Sequence, residues 1–389
     1  MWAIGGAVAL VACGLVPWLA AVGAMRRGLD VCLFLAGMML LAETARGEGL
    51  FDRVAVLAVQ HSRGSPGRLF ALVYAVGVAV TAVLSNDATA VVLTPAVFSA
   101  ARAAKVDPLP HLFACAFVAN AASFVLPISN PANIVLYADH VPPLGPWLRA
   151  FVLPSALAIG ATFVLLRLLL RRRLAGDAAA AVARPAMTPG ACAALAGIAI
   201  TAPVLLAASA FGVGLGGPTL AMGAATAMAA CILGRASPRR ILTAISWQVL
   251  ALVAGLFVLV EGLARAGVVG RLAALIRVAA AGGGRGAAWI AALLVAGASN
   301  LINNLPAGLV ASSAIARAHP PATVTDALLI GVDLGPNLSV TGSLATILWL
   351  SAVRREGQQV SALSFLKLGA LVTPPALLLA LAGRLLAPQ

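Results

Sequence analysis

Residues 69–101 read LFALVYAVGVAVTAVLSNDATAVVLTPAVFSAA, an apolar run interrupted at Ser85-Asn86-Asp87. Hydrocarbon offers no hydrogen bond to an amide or a carboxylate. Such a triplet persists inside a membrane only where it faces other polar groups or a cargo. A second break, Asn303-Asn304, interrupts the apolar run at 287–316. A further pair of patches follows the same plan. In the first half Asn120-Ala-Ala-Ser123 leads to Ser129-Asn130-Pro-Ala-Asn133, and in the second half Asp333-Leu-Gly-Pro-Asn337 leads to Thr341-Gly-Ser343.

The rest of the chain supplies the oil around these patches. Of 389 residues, 62% are hydrophobic and 10% charged, with a mean hydropathy of +1.03. A soluble domain could not cover that much apolar surface. Further apolar runs lie at roughly 3–24, 31–45, 111–138, 150–170, 189–209, 218–234, 246–263, 324–352 and 367–387, against the about 20 residues that one membrane span needs. The net charge of +14 would suit nucleic acid, but the basic residues sit at the ends of apolar runs, as in Arg171-Arg172-Arg173 and Arg239-Arg240. There they act as topology signals and contacts to anionic lipid, with no stacking aromatics between them, so the partner is the bilayer and not nucleic acid. Cys13, Cys32, Cys115, Cys192 and Cys231 form no CxxC motif, and His61, His111, His140 and His319 share no ligand spacing. Disulfides, a metal site and a cofactor are therefore not expected, and no nucleophile–base constellation suggests an enzyme. The apolar N-terminus has neither a charged leading region nor a small-residue cleavage site, so it is read as a retained span.

Laying residue i over residue i+218 needs no gap from about 31 to 92 and pairs Glu43 with Glu261, Gly49 with Gly267, Arg53 with Arg271 and Asn86 with Asn304. An offset of 213 then places Asn120 on Asp333, Asn133 on Thr346 and Ile134 on Ile347. The pattern predicts an all-α polytopic membrane protein of two inverted-topology repeats, each with a re-entrant helical hairpin and a broken transmembrane helix. Residues 1–145 form the N-terminal repeat, with its hairpin at 69–101 and broken helix at 111–138. Residues 146–240 are connecting scaffold spans. Residues 241–389 form the inverted repeat, with its hairpin at 287–316, broken helix at 324–352 and a last span. The arms of the first hairpin, 69–84 and 88–101, are read as too short to cross the bilayer. Short amphipathic segments (50–60, 268–278) and glycine-rich turns, including Gly282-Gly-Gly-Arg-Gly286, precede the hairpins. With the N-terminus cytoplasmic, 17 of the 26 Lys and Arg residues fall inside and 9 outside, as expected for a multi-pass protein of the cell (inner) membrane.

Of the 12 Asp and Glu residues, Glu43, Asp87, Glu261 and Asp333 are read as the ones lying within or at the edge of apolar segments. A charged carboxylate at that depth costs at least ~2–3 kcal/mol unless it is paired. Asp87 and Asp333 are the candidates for proton coupling, with helix N-capping as the bland alternative. Glu43 and Glu261 are expected to pair with Arg46 and Arg265. Ser85, Asn86, Thr89, Asn120, Ser123, Ser129, Asn130, Asn133, Asn303, Asn304, Asn337, Thr341, Ser343 and Thr346 are the candidate substrate-binding residues. Their amides and hydroxyls, with no Arg or Lys among them, suit a small neutral hydroxylated solute or a partly dehydrated cation.

At these residues the chain resembles the ArsB-type arsenite/antimonite permeases of the ion transporter superfamily. The stretches that carry the resemblance are Ser85-Asn-Asp-Ala-Thr-Ala-Val-Val-Leu-Thr-Pro95, Ser129-Asn-Pro-Ala-Asn-Ile134, Asn303-Asn-Leu-Pro306 and Gly331-Val-Asp-Leu-Gly-Pro-Asn337 through Gly342-Ser-Leu-Ala-Thr-Ile-Leu-Trp349. It covers nearly the whole chain, although this one looks shorter near the N-terminus. The resemblance implies export of trivalent arsenic and antimony hydroxides in exchange for protons, assisted in some members by a cytoplasmic arsenite-stimulated ATPase, and superfamily analogy suggests a homodimer. No cysteine falls within the patches, so hydrogen bonding rather than thiol capture is expected. Sodium/proton antiporters and carboxylate carriers of the same superfamily are the alternative. The carboxylate carriers typically show Ser-Asn-Thr at both hairpin tips, where this chain has Ser-Asn-Asp and Asn-Asn-Leu.

Overall fold

A computed structural model describes residues 2–137, 141–179, 186–234, 237–281 and 284–386. His140 and part of the expected turn at 282–286 lie outside them. The regular elements among the described residues are all helices, and these residues contain no strand. Seven helices are long and apolar enough to cross a membrane, or eight if Trp18–Arg27 and Leu29–Gly47, which meet at 45°, count as one broken span.

The two halves run through the same order of elements. Leu29–Gly47, the amphipathic Leu50–His61, the arms Pro66–Val83 and Thr94–Ala103, and the half-helices Pro108–Ala121 and Pro131–Tyr137 lead to the long helix Leu144–Leu169. After the connecting helices Pro189–Ala210 and Gly216–Leu233, the order returns. Trp247–Arg265, Val268–Ala281, the arms Gly284–Ile302 and Asn304–Ala318, and the half-helices Ala322–Leu334 and Leu344–Arg355 lead to Ala362–Leu386.

Two sequence expectations are adjusted by these bounds. The N-terminal run is two short helices, Trp2–Ala12 and Trp18–Arg27, rather than one span. Gly14 takes a left-handed φ of +72° and Pro17 lacks an N–H, so the backbone ladder cannot continue through residues 13–17. The first arms of both hairpins begin earlier than expected, at Pro66 and Gly284, and on length and composition alone each could cross a bilayer. Ser65 explains the first of these, since its hydroxyl caps the helix by accepting from Arg68 N with Pro66 in the first turn.

Packing crosses between the halves. Pro66–Val83 lies on Pro108–Ala121 and Gly284–Ile302 on Ala322–Leu334, within each half. The second arm Asn304–Ala318, however, packs on Pro131–Tyr137, while residues 89–93 pack on Leu344–Arg355. Leu144–Leu169 and Ala362–Leu386 lie against each other. Close helix approach depends on missing side chains. A Cβ on Gly37 would stand 2.4 Å from the Thr219 carbonyl, and one on Gly331 would stand 2.4 Å from the Ala292 oxygen. Such small-residue contacts drive helix association where lipid removes the hydrophobic term. Six of the largest buried side chains, Trp147, Trp349, Phe117, Phe124, Phe151 and Phe365, surround the broken helices. Both tryptophans anchor backbone there, with Trp147 Nε1 donating to Phe124 O at 3.2 Å and Trp349 Nε1 to Leu112 O at 2.8 Å.

The expected ion pairs Glu43–Arg46 and Glu261–Arg265 are present, and Glu261 also meets Arg27 at 2.8 Å. The expectation that only four acids lie in or beside apolar segments is corrected by Asp326, which is buried. Its Oδ2 accepts from Arg384 Nε at 2.8 Å and its Oδ1 from the Tyr137 hydroxyl. The countercharge comes from the last helix, 58 positions along the chain, so local hydropathy gave no sign of it. Removing Arg384 alone strands a buried carboxylate, and Arg384→Met should cost about 3–5 kcal/mol. Adding Asp326→Asn should recover much of that loss, as thermal unfolding of the purified variants in detergent would show.

Candidate functional site

All four polar patches serve first as helix starts. Ser85 Oγ accepts from Ala88 N at 3.1 Å, Asn130 Oδ1 from Ala132 N at 3.0 Å, Asn303 Oδ1 from Leu305 N at 3.4 Å and Ser343 Oγ from Thr346 N at 3.1 Å. Asn86 Oδ1 adds a bond from Asp87 N at 2.9 Å. Asn303 reaches its position with φ +76° and ψ +152°, a strained region that is otherwise left almost wholly to glycine. Beyond the first tip, Thr89–Leu93 forms a π-helical turn that Thr94 Oγ1 steadies by donating to Thr89 O at 3.2 Å. Thr81 and Thr89 share a hydroxyl hydrogen bond at 2.8 Å. Such turns sacrifice regular hydrogen bonding and occur often at functional sites.

Other side chains of the patches close the broken helices. Asn133 Nδ2 donates to Ser123 O at 2.8 Å and Leu126 O at 3.2 Å. Its partner at the 213 offset, Thr346, donates through Oγ1 to Val340 O at 2.8 Å. Ser123 Oγ donates to Asn120 O, and Ser129 Oγ fastens the first break to its hairpin arm through Ala82 O at 3.0 Å. In the second half Asn303 Nδ2 donates to Thr341 O at 3.2 Å, and Asn304 N to Gly342 O at 2.8 Å.

Sequence reasoning passed over Asn300, which does the same work. Its Nδ2 donates to Gly335 O at 3.0 Å, and its Oδ1 accepts from Ser339 Oγ at 2.7 Å. An amide three residues before the Asn303-Asn304 tip, inside an apolar run, was the available signal. It was lost because its 218-offset partner is Ala82.

Among the described residues, three buried hydrogen bonds from the amides of these patches join the halves, besides the one from Trp349. Asn120 Nδ2 donates to Asn337 Oδ1 at 3.0 Å, Asn337 Nδ2 to Phe117 O at 2.9 Å, and Asn130 Nδ2 to Asp333 Oδ1 at 2.8 Å. Asp333 Oδ2 and Asn120 Oδ1 are buried with no partner among the described residues. Asp333 lies in the last turn of Ala322–Leu334 rather than at a helix start, so N-capping does not account for it. Asp87, by contrast, sits in the first turn after its cap, where the helix dipole favours negative charge.

The four helix starts converge on a cavity of about 20 Å³, bounded by Asn86, Asp87, Asn130, Pro131, Asn304 and Leu344 and closed by Leu35 and Val249. A second cavity of about 40 Å³ adjoins it at Asp87 and reaches Glu43 past Met38 and Ser246. One helical turn away on the opposite side, a wider vestibule of about 370 Å³ is lined by Val31, Ile134 and Leu309 and reaches Arg27, Glu261 and Arg317. One water needs at least ~10–15 Å³ measured this way, so the central cavity holds about one, and a larger solute requires the surrounding elements to part.

Of the candidate site residues, Ser85, Asn86, Asp87, Asn130 and Asn304 face these central cavities. Asp333 stands behind Asn130, its hydrogen-bond partner. Thr89, Asn120, Ser123, Ser129, Asn133, Asn337, Ser343 and Thr346 are buried and bonded to the backbone or side chains that hold the breaks together. Asn303 is partly exposed and Thr341 is exposed. All five cysteines are free. Cys115 is buried, Cys32 and Cys231 are partly buried, and Cys13 and Cys192 are exposed.

A polar centre built from paired hairpins and broken helices in an otherwise apolar helical protein defines a membrane transporter rather than an enzyme. The chain belongs to the citrate transporter family CitMHS, whose profile matches residues 1–353, and it is a multi-span secondary transporter of the ion transporter superfamily. Its relatives include the arsenical pump membrane protein of Escherichia coli (strain K12), 28% identical over 355 residues that cover 86% of this chain and 81% of that protein. An uncharacterized transporter of Mycobacterium tuberculosis (strain ATCC 25618 / H37Rv) is 28% identical over 375 residues, covering 90% of this chain and 84% of that one. Among solved structures, the YdaH transporter of Alcanivorax borkumensis shares the fold with a TM-score of 0.54 at 18% identity, covering 94% of this chain and 85% of that chain.

Asn130 both caps a half-helix and holds Asp333. Asn130→Ala should therefore destabilise the protein by about 1–3 kcal/mol, because it leaves a buried acceptor unsatisfied. Asn130→Asp should do worse, by setting a second acid against Asp333. Melting temperatures of the purified variants, compared with that of Thr341→Ala at an exposed position, check the order.

Proposed function

We propose that this transporter exports arsenite and antimonite in exchange for protons, by alternating access across the cell membrane with its N-terminus in the cytoplasm. The observation that carries this reading is the central cavity. Amides and a carboxyl line it, with no Arg or Lys on its wall. Trivalent arsenic in neutral water is mostly the uncharged trihydroxide, which these groups can bind by donating to and accepting from its hydroxyls. Two acids on and just behind the cavity wall, Asp87 and Asp333, are the proton carriers in this reading. The arsenical pump relatives favour the same cargo. The unequal access regions, about 40 Å³ toward Glu43 and about 370 Å³ toward Glu261, suit one end state of an alternating cycle. A cytoplasmic arsenite-stimulated ATPase and a homodimer belong to the same proposal.

A second reading rests on the four converging helix starts, whose N–H groups attract anions. With the family's description as a citrate transporter, they favour a carboxylate carrier, or a sodium-coupled relative of it. Against this, Asp87 already places an acid in that field, where an anionic cargo would be repelled.

One reconstituted preparation decides between the readings. Proteoliposomes carrying the protein should take up arsenite and antimonite under an imposed pH gradient and release protons in return. Citrate or sodium flux without metalloid flux would replace the first reading by the second. In everted vesicles Asp87→Asn and Asp333→Asn should each reduce pH-driven arsenite uptake to background, and full activity in both would remove the proton-carrier assignment. A chain with all five cysteines replaced should transport normally, whereas loss of transport on replacing Cys115 alone would point to thiol ligation.

A further inference from the structure

The second hairpin carries an open groove that the transport site does not use. Val268–Ala281, both arms of the hairpin and the start of Ala322–Leu334 enclose about 240 Å³, lined only by apolar side chains, among them Leu272, Ile276, Ala291, Ala298, Ala311 and Leu328. On the first arm its lining runs from Ala287 to Ile302. At 1.5 Å per residue that is about 22 Å, which from an interfacial mouth passes the middle of a hydrocarbon core about 30 Å thick. Small residues make the room. At the positions 218 earlier in the chain, Val73, Val80 and Leu93 stand where Ala291, Ala298 and Ala311 line the groove.

The charge at the mouth is one-sided. Arg277, near the end of Val268–Ala281, and Arg285, in the first turn of Gly284–Ile302, stand beside Ala279 and Ala287 of the groove, and both are exposed. Arg271 and Arg317 are exposed nearby, and Arg277 Nη1 donates to Arg317 O at 3.1 Å. No Asp or Glu occurs between Glu261 and Asp326, and none of these four arginines forms an ion pair with an acid among the described residues. The matching helix of the first half, Leu50–His61, carries Asp52 beside Arg53. A basic amphipathic helix over an apolar slot recognises an anionic headgroup and its tail together.

We propose that this groove is a binding site for an anionic phospholipid, with one acyl chain along the hairpin and its phosphate at Arg277 and Arg285. The chain end then lies against Ile302, next to the Asn303–Asn304 tip at the central cavity. An occupied groove props the hairpin at its present spacing from Val268–Ala281, and an empty one lets it shift.

Spin-labelled phosphatidylglycerol and phosphatidylcholine, each added to the full-length protein reconstituted in phosphatidylcholine, test the site through the motionally restricted fraction seen by electron paramagnetic resonance. Phosphatidylglycerol should show the larger restricted fraction. The exposed double variant Arg277→Gln/Arg285→Gln should reduce that preference to what the other basic clusters sustain, while leaving the phosphatidylcholine signal unchanged. Ala298→Phe, which fills the groove, should remove the preferred phosphatidylglycerol population although all the arginines remain. Equal restriction of the two lipids by the wild-type protein would overturn the proposal, because the bound lipid would then be an unselective annulus. An undiminished preference in the double variant would overturn it as well.

Discussion

In a bilayer, every backbone N–H and C=O must find its partner within the protein. A transporter that binds cargo at mid-depth has to interrupt its helices there, so it must resolve each interruption locally. This chain does so with short side chains. Asn133 and Thr346 return to the carbonyls of their own breaks, Ser129 and Asn300 fasten each break to its hairpin, and Ser85, Asn130, Asn303 and Ser343 start the next helical segments. Most of the polar residues in the patches are occupied with holding broken backbone. Few are left to face the cavity.

That division changes how the site is read. A list of polar residues in apolar runs suggests a broad polar lining. The folded chain concentrates it into Asn86, Asp87, Asn130 and Asn304 around the narrow central space, with Ser85 facing the adjoining cavity. Asp333 reaches that space only through Asn130. Asn130 therefore links a helix start, the cavity wall and a buried carboxyl across the two halves of the chain, so a change at any one of these is felt at the others.

The fold class, the number and place of the polar breaks and the order of the elements were legible because each depends on short-range pattern. Apolar runs of span length, prolines near breaks and Asn or Ser ahead of half-helices are local signals. The 213 offset also paired Asn133 with Thr346, and each donates to a backbone carbonyl of its own break. Less legible were the split N-terminal helix, which turns on Gly14 and Pro17, and Asn300, whose counterpart Ala82 lacks a polar side chain.

Sequence by itself determined that the chain is helical and membrane-spanning, with its polar groups confined to repeated breaks, because hydrocarbon penalises an unpaired polar group wherever it occurs along the chain. Tertiary structure decided the pairings: Asn130 with Asp333, Asn120 with Asn337, and Asp326 with Arg384 and Tyr137. These partners lie 58 to 217 positions apart. Any buried amide or acid needs some partner, but local periodicity cannot say which of many equivalent groups the packing of the two halves will bring within 3 Å.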